Sequence, residues 1–159
     1  MRVGIFAVGR MKAGPERELS ARYLDRFAKA GPALGLDYSG LTEITESRAQ
    51  TADLRKQEEG RALLQAADGA ALILLDETGK NLPSEQFAQK LADIRDRGAK
   101  SALLAIGGAD GHDPALKAQA TLVLSFGAAT WPHQMVRIML AEQLYRAATI
   151  LSGHPYHRA

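Results

Sequence analysis

The sequence contains no cysteine, which excludes disulfide bonds and cysteine-ligated metals. A chain without thiols fits a reducing compartment, and we therefore expect a cytoplasmic protein. No apolar run approaches the roughly 18 residues that a membrane-spanning helix requires, so we expect no membrane partner. Residues 1–6 enter a strand-like run directly and lack the apolar core and cleavage site of a signal peptide.

Excess charge is also small, because 20 Lys and Arg residues are balanced by 18 Asp and Glu residues. The net charge is only +2, although the isoelectric point is about 9.0. Proteins that bind RNA through non-specific electrostatics usually carry a larger basic excess, so an RNA partner would need locally concentrated charge. With 159 residues, of which 46% are hydrophobic, we expect one globular domain over residues 1–159.

Apolar runs and helical patterns alternate along the chain. Strands are predicted at residues 2–8, 34–44, 70–75, 103–106 and 122–125. Helices are predicted at residues 14–30, from the polar segment 45–59 to about 67, at 83–98, briefly from 114, and from 132 to about 151. This alternation predicts an α/β fold with a mostly parallel sheet and helices on both faces. Residues 55–59 (Arg-Lys-Gln-Glu-Glu) are typical of a solvated helix face.

Two turns of small residues follow the last two predicted strands. They are Gly107-Gly108-x-x-Gly111 and Gly127-Ala128-Ala129, and neither matches the dinucleotide fingerprint or a phosphate-binding loop. Glycines after a strand often form only a tight turn, and taken alone that is the commoner meaning. Two such turns at adjacent strand ends would also suit a flat adenine ring, because open α/β sheets bind ligands at the carboxyl ends of strands.

A third strand end carries acidic residues in the sequence Leu75-Asp76-Glu77. These side chains could bind a ribose, a metal or nothing. We expect no metal, because no second carboxylate or histidine has the spacing of a metal ligand.

The final predicted helix is apolar around almost its whole circumference, so it should be buried on more than one side. The second side is covered either by another subunit or by packing within one chain. Its few polar residues include Arg137, Glu142 and Arg146, and the last two are four apart and can form an ion pair.

The four histidines, His112, His133, His154 and His157, lack metal-ligand spacing, and a lone histidine is more often a surface or capping residue than a catalyst. The tail from His154 to Arg158 is a different case. Its aromatic rings and guanidinium could stack on a base and bind phosphate, whereas a terminal segment usually frays. Both interpretations remain open.

Several segments, taken together and in this order, resemble one known family. They are Val3-x-x-x-Ala7-Val8-Gly9, Leu75-Asp76-x-x-Gly79-Lys80, Ile106-Gly107-Gly108-x-x-Gly111, Leu124-Ser125 with Thr130-x-Pro132-His133, Val136-Arg137 with Glu142-Gln143-x-Tyr145-Arg146-Ala147, and His154-Pro155-Tyr156-His157. The chain resembles the RlmH family of ribosomal large-subunit pseudouridine N3-methyltransferases, which belongs to the SPOUT class. The match covers the chain in order and is weakest over residues 35–60.

The resemblance implies an α/β fold with a trefoil knot near the carboxyl terminus, which general rules of chain topology would not have predicted. It also implies an S-adenosylmethionine cofactor, a homodimer, and a pseudouridine substrate in a stem-loop of 23S large-subunit rRNA on the assembled ribosome. The family's cofactor contacts fall on Leu75, Gly107, Phe126, Gly127, Ala128, Ala129, Thr130 and Trp131.

The implied reaction has one difficult step. The sulfonium already activates the methyl group, but N3 of a pseudouridine becomes a good nucleophile only when its imide proton leaves. A cation would stabilise the developing anion and a base would accept the proton. The candidate cations are Arg137, Arg146 and Arg158, and the candidate bases are His133, His157 and Glu142.

These candidates do not divide uniquely into roles, because any of the arginines could instead hold RNA phosphate. We predict that the catalytic set is Arg137, Tyr156 and His157, and that the substrate-binding set is His133, Glu142, Arg146, His154 and Arg158. Two competing functions remain. One is a SPOUT enzyme that acts on another rRNA or tRNA position, and the other is a ribosome-binding factor without enzymatic activity.

Overall fold

A computed structural model describes residues 1–158 of the chain. The elements are β1 (Arg2–Val8), α1 (Pro15–Ala30), a 3₁₀ turn (Pro32–Leu34), β2 (Asp37–Ile44), α2 (Ala52–Ala67), β3 (Ala71–Asn81), α3 (Ser84–Asp96), β4 (Ser101–Ile106), α4 (Pro114–Gln119), β5 (Leu122–Ser125) and α5 (His133–Ser152). The predicted alternation of strands and helices is confirmed.

The five strands form one sheet in the order β2-β1-β4-β3-β5, and every neighbouring pair is parallel. In a parallel sheet the carboxyl ends of all strands lie along one edge. The loops that follow β1, β3, β4 and β5 therefore meet at this edge, which is where the sequence predicted a binding site.

Helices cover both faces of the sheet, as predicted. On one face, α1, α3 and α5 bury a core that includes Phe27, Leu91 and Leu144 against the strands. On the other face, Leu63 of α2 and Leu116 of α4 pack in a smaller cluster. Successive strand residues point to opposite faces, so each strand contributes to both cores and reads as a continuous apolar run.

Strand β3 is longer than the sequence predicted, since it reaches Asn81 rather than ending near Leu75. Leu124 of β5 pairs with Leu75 and again with Lys80, so residues 76–79 leave the regular ladder between the two pairs. Such irregularities are common beside functional sites, because they redirect side chains out of the sheet. The trefoil knot that the resemblance implies remains a prediction.

Gly79 lies directly on the backbone of β5 in this irregular segment. A Cβ atom at Gly79 would stand 2.6 Å from the carbonyl carbon of Leu124 and 2.7 Å from its nitrogen. Backbone atoms cannot move aside as a flexible side chain can, so only glycine allows the two segments to approach this closely.

The carboxyl terminus turns back at the end of the last helix. Gly153 adopts the left-handed conformation (φ 69°), and the His154 amide donates to the Thr149 carbonyl at 2.9 Å. This glycine stop directs residues 154–158 back along α5. In the part of the chain that the structure describes, no helix has the length and apolarity to cross a membrane.

We predict that Gly79→Ala lowers the free energy of unfolding by about 3 kcal/mol, at the upper end of the usual cost of overpacking. Gly69→Ala is the control, because a Cβ there meets nothing within 4 Å and only the positive φ of 79° opposes it. That variant should lose about 1 kcal/mol. Urea denaturation measures both, and equal losses would show that the close approach at Gly79 is unimportant.

Candidate active site

A pocket of about 280 Å³ opens at the carboxyl edge of the sheet, between the ends of β3, β4 and β5 and the start of α5. Seven of the eight residues predicted to contact a cofactor line it, together with one residue predicted to bind substrate: Leu75, Gly107, Phe126, Gly127, Ala129, Thr130, Trp131 and His133. The eighth, Ala128, lies exposed within the same turn. The structure therefore brings the predicted cofactor residues together.

The glycine turn after β4 forms the floor of the pocket. The Gly111 amide closes it by donating to the Gly108 carbonyl at 3.0 Å, and Gly111 has a φ of 79°. A Cβ atom at Gly107 would lie 3.2 Å from the His112 ring, and one at Gly108 would lie 2.6 Å from a Glu59 carboxylate oxygen. Glycine at these two positions therefore lets the turn pack directly onto the His112 and Glu59 side chains.

The turn after β5 forms the opposite wall. The Ser125 hydroxyl accepts from the Gly127 amide at 3.2 Å and donates to the Gly127 carbonyl at 3.0 Å. Gly127 has a φ of 104°, a conformation that favours glycine. The Trp131 indole donates to the Phe126 carbonyl at 3.3 Å, which holds the ring over the turn. This wall combines a small backbone turn with an aromatic surface.

A charged wall completes the pocket, and the sequence identified only part of it. The Asp76 carboxylate contacts Lys117 Nζ at 2.7 Å and accepts from the Thr78 amide at 2.9 Å. Burial raises the pKa of Asp76, but the hydrogen bonds from Lys117 and Thr78 outweigh it, so the pKa lies below its usual value. The Asp76 side chain is therefore ionised at neutral pH.

His112 lies beneath the glycine turn and is only 7% exposed. Its Nε2 is 3.3 Å from the Ala105 carbonyl oxygen. Burial lowers the pKa of His112, and this effect exceeds the opposing contribution of the Ala105 hydrogen bond. His112 is thus a buried, neutral supporting residue, rather than the surface or capping residue that is the commoner case.

Arg137, predicted to be catalytic, lies in a buried ion pair instead of on the pocket wall. Its NH2 group is 2.6 Å from Glu43 Oε2, and its NH1 group donates to the Gly9 carbonyl at 3.3 Å. The Met11 amide donates to the same carboxylate at 2.8 Å. Burial raises the pKa of Glu43, but the bonds from Met11 and Arg137 outweigh it and lower the pKa overall. The pair joins α5 to the loop after β1.

The tail is packed against α5 and is not frayed. The Tyr156 ring lies 4.8 Å from the Tyr145 ring, centroid to centroid, and its hydroxyl donates to Glu142 Oε1 at 3.0 Å. Arg146 Nε donates to the same carboxylate oxygen at 2.9 Å, which confirms the predicted pairing of these two side chains. His157 lies between Arg146, at 3.2 Å, and Glu85, at 2.6 Å.

Neighbouring groups shift the pKa values of Tyr156 and Glu85 in this cluster. Burial, followed by hydrogen bonds to Tyr23 and Glu142, raises the pKa of Tyr156 well above its usual value. Tyr156 is therefore a neutral phenol that donates a hydrogen bond. The Glu85 backbone amide and His157 lower the pKa of the Glu85 carboxyl, which favours its charged form beside the imidazole.

The predicted site residues thus fall into three places. The cofactor residues and His133 share the pocket, Arg137 sits beside β2, and Glu142, Arg146, Tyr156 and His157 form what we call the tail cluster. The exposed His154 and Arg158 flank this cluster. A neighbouring groove, lined by Tyr23, Met139 and Glu142, shares Phe126 with the pocket and reaches the tail cluster at Glu142.

Sequence reasoning missed several residues that shape the pocket. The solvated-face interpretation of residues 55–59 is wrong for Glu59, which is only 8% exposed. Arg55 stays 30% exposed, and it pairs with Asp110 of the glycine turn. One signal was available in Gly60, a glycine inside a helix, where a Cβ would lie 2.8 Å from the Leu116 side chain. Over residues 1–158, no group of three His, Asp or Glu side chains is arranged to hold a metal ion.

Comparison with known proteins identifies the class. The family described as a predicted SPOUT methyltransferase matches residues 1–157, and the chain belongs to this family. The methyltransferase class and the α/β fold class that the resemblance implied are thereby confirmed, whereas the trefoil knot stays a prediction.

Relatives of known name are similar over their full length. A Brucella anthropi protein named ribosomal RNA large subunit methyltransferase H is 65% identical over 160 residues, and a Mesorhizobium japonicum protein of the same name is 64% identical. Both alignments cover 100% of each chain. Among solved structures, a probable methylase family protein from Haemophilus influenzae Rd KW20 has a TM-score of 0.50 at 11% identity. It covers 99% of this chain and 70% of that chain, and it supports the fold alone.

We predict that stability decreases below about pH 6.5 because of His112. The folded chain holds this imidazole neutral, whereas the unfolded chain protonates it at its ordinary pKa. Acid therefore favours the unfolded state, and the free energy of unfolding falls as the pH falls through this range. Urea midpoints of the protein and of His112→Gln, compared at about pH 7.5 and about pH 5.5, should show a weaker pH dependence in the variant. An unchanged dependence would contradict this role of His112.

Proposed function

We propose that this protein transfers a methyl group from S-adenosylmethionine to N3 of a pseudouridine in a stem-loop of 23S large-subunit rRNA, on the assembled ribosome. The observation that carries the proposal is the convergence of Leu75, Gly107 and the turn from Phe126 to Trp131 on one pocket. Full-length relatives at 64–65% identity named ribosomal RNA large subunit methyltransferase H support the substrate class. A ribosomal substrate implies a cytoplasmic protein.

The pocket residues fit the cofactor. The volume of about 280 Å³ lies just below the roughly 300–1,000 Å³ that is usual for small-molecule sites. Gly107 and Gly108 line the pocket without a side chain, so a flat ring can lie against their peptide groups. Trp131 provides an aromatic wall. When bound, the cofactor supplies a methyl group that its sulfonium already activates.

The acceptor nitrogen has to lose its proton, and the tail cluster contains side chains that can accept a proton and hold the base. His157 accepts the proton of N3 or orients the base, and Tyr156 stacks on the base or donates a hydrogen bond to it. Arg146 and Glu142 hold these two rings in place. His133, His154 and Arg158 bind the surrounding RNA. Arg137 is retained as a candidate for stabilising the anion, although its pairing with Glu43 fits it better to shaping the site.

No side chain of the tail cluster lines the pocket of its own chain, and we propose that a second subunit completes the site. Apolar side chains remain exposed near the pocket and groove, with Leu19 at 36%, Trp131 at 41% and Met135 at 39%. A symmetric homodimer would cover such residues in both subunits. It would also complete each pocket with the tail cluster of the partner.

The decisive experiment compares transfer of labelled methyl from S-adenosylmethionine to intact ribosomes, free large subunits and naked rRNA. We expect transfer to ribosomes and little transfer to naked rRNA, because a net charge of +2 gives weak non-specific attraction. Mass mapping should locate the label on N3 of a pseudouridine. Label at another RNA position would indicate a different SPOUT enzyme, and transfer to none of the three would indicate a binding factor.

Complementation tests the composite site. Gly107→Val fills the cofactor turn, His157→Ala removes a ring of the tail cluster, and each homodimer should be inactive on ribosomes. Co-expressed subunits should recover about a quarter of the original activity, because half of the dimers are mixed and each mixed dimer has one intact site. Light scattering should report about twice 17.1 kDa. No recovery by mixed dimers of confirmed composition would mean that each site is built within one chain.

A further inference from the structure

Helix α2 contacts the glycine turn through two charged side chains that the methyl-transfer chemistry does not use. Arg55 Nε lies 2.6 Å from Asp110 Oδ2, and its NH2 group donates to Oδ1 at 3.0 Å. The remaining NH1 group donates to the Ala49 carbonyl at 3.0 Å. A planar guanidinium that forms both bonds to one carboxylate fixes its orientation as well as its distance.

Glu59, one helical turn further along, supports the other end of the turn. Its side chain is buried, and Oε1 accepts from the Ser47 amide at 3.0 Å. The position of a Cβ on Gly108 would be 2.6 Å from Oε2, so the carboxylate lies directly against the Gly108 main chain. Arg55 and Glu59 therefore flank the turn, with Asp110 held by one side chain and Gly108 in contact with the other.

The Gly107–Gly111 turn needs such support because few interactions within the turn itself fix its conformation. Glycine has more conformational freedom to lose than any other residue, and this turn contains three glycines in five positions. One internal backbone bond, from Gly111 to Gly108, closes it. A binding surface made of main chain is useful only if that main chain is already in the bound shape, since ordering it on binding weakens affinity.

We propose that Arg55 and Glu59 are positioning residues that hold the Gly107–Gly111 turn in the shape that binds the methyl donor. Neither side chain has to touch the reacting atoms. Arg55 acts through Asp110, and Glu59 acts through its contact with Gly108. The same two side chains also fix residues 47–49, so the surface loop after β2 and the pocket floor share one support. The inference rests on the proposed cofactor.

A double-mutant cycle with Arg55→Gln and Asp110→Asn tests the first contact. Each single variant should raise the Kd for S-adenosylmethionine about tenfold, and the double variant should be no weaker than either single one, because both remove one interaction. Isothermal calorimetry measures the Kd without any RNA. In transfer assays the KM for the cofactor should rise while kcat at saturating cofactor is retained. Arg55→Lys keeps the charge but not the paired bonds, so its Kd for the cofactor should lie between those of the unmodified protein and Arg55→Gln.

A second variant tests the other contact. Glu59→Gln keeps the size of the side chain and an oxygen for the Ser47 amide, and it removes the charge beside Gly108. Glu59→Ala removes the support altogether. We expect Glu59→Ala to raise the cofactor Kd by about tenfold, because it removes the contact with Gly108. Glu59→Gln should have a smaller effect, because it keeps that contact and removes only the charge.

The matched control is the exposed ion pair between Lys29 and Asp25 on α1. Lys29→Gln and Asp25→Asn remove the same charges far from the pocket and should leave the Kd unchanged. Circular dichroism at the assay temperature confirms that each variant is folded. Unchanged cofactor affinity in folded Arg55, Asp110 and Glu59 variants would overturn the inference. Absence of cofactor binding by the unmodified protein would instead overturn the proposed cofactor, and this inference with it.

Discussion

The pocket depends on backbone segments that approach their neighbours more closely than a side chain at the same position would allow. Gly79 rests on the peptide backbone of β5, Gly107 on the His112 ring, and Gly108 on the Glu59 carboxylate. Each contact places main chain at the carboxyl edge of the sheet, where parallel strands converge. The cores on the two faces of the sheet hold these segments at a fixed separation. The shape of the site therefore follows from glycine positions and the packing behind them.

Charged side chains around the site serve mainly to hold the structure. Arg137 and Glu43 connect α5 to β2, and Lys117 and Asp76 connect α4 to the irregular part of β3. Each pairing supplies an opposite charge in partly buried surroundings, where an unpaired charge would be costly. Pairs of this kind join segments that are distant in sequence, so the loops at one edge of the sheet form a connected support.

Much of the fold was predictable, because strand runs and helix signals in this sequence are local. Apolar runs located all five strands, proline and glycine located the starts and ends of α1 and α3, and proline located the start of α5. The two small-residue turns pointed correctly to one pocket. The extension of β3 was not predictable, because the pairing of Lys80 with Leu124 is a long-range contact. The burial of Glu59 was missed for a related reason: a charged helix face is solvated unless another segment covers it, and here the glycine turn does.

Arg137 and the tail illustrate a further limit of the sequence. Residue type suggested chemistry in both cases, but only the fold shows that Arg137 is engaged by Glu43 and that Tyr156 and His157 lie against Glu142 and Arg146.

The aromatic wall of the pocket affects how the protein fluoresces. Trp131 is the only tryptophan in the chain, and its ring lines the pocket with its nitrogen bonded to the Phe126 carbonyl. All tryptophan emission of this protein therefore originates at the pocket wall, so the unlabelled molecule carries its own optical probe of the pocket.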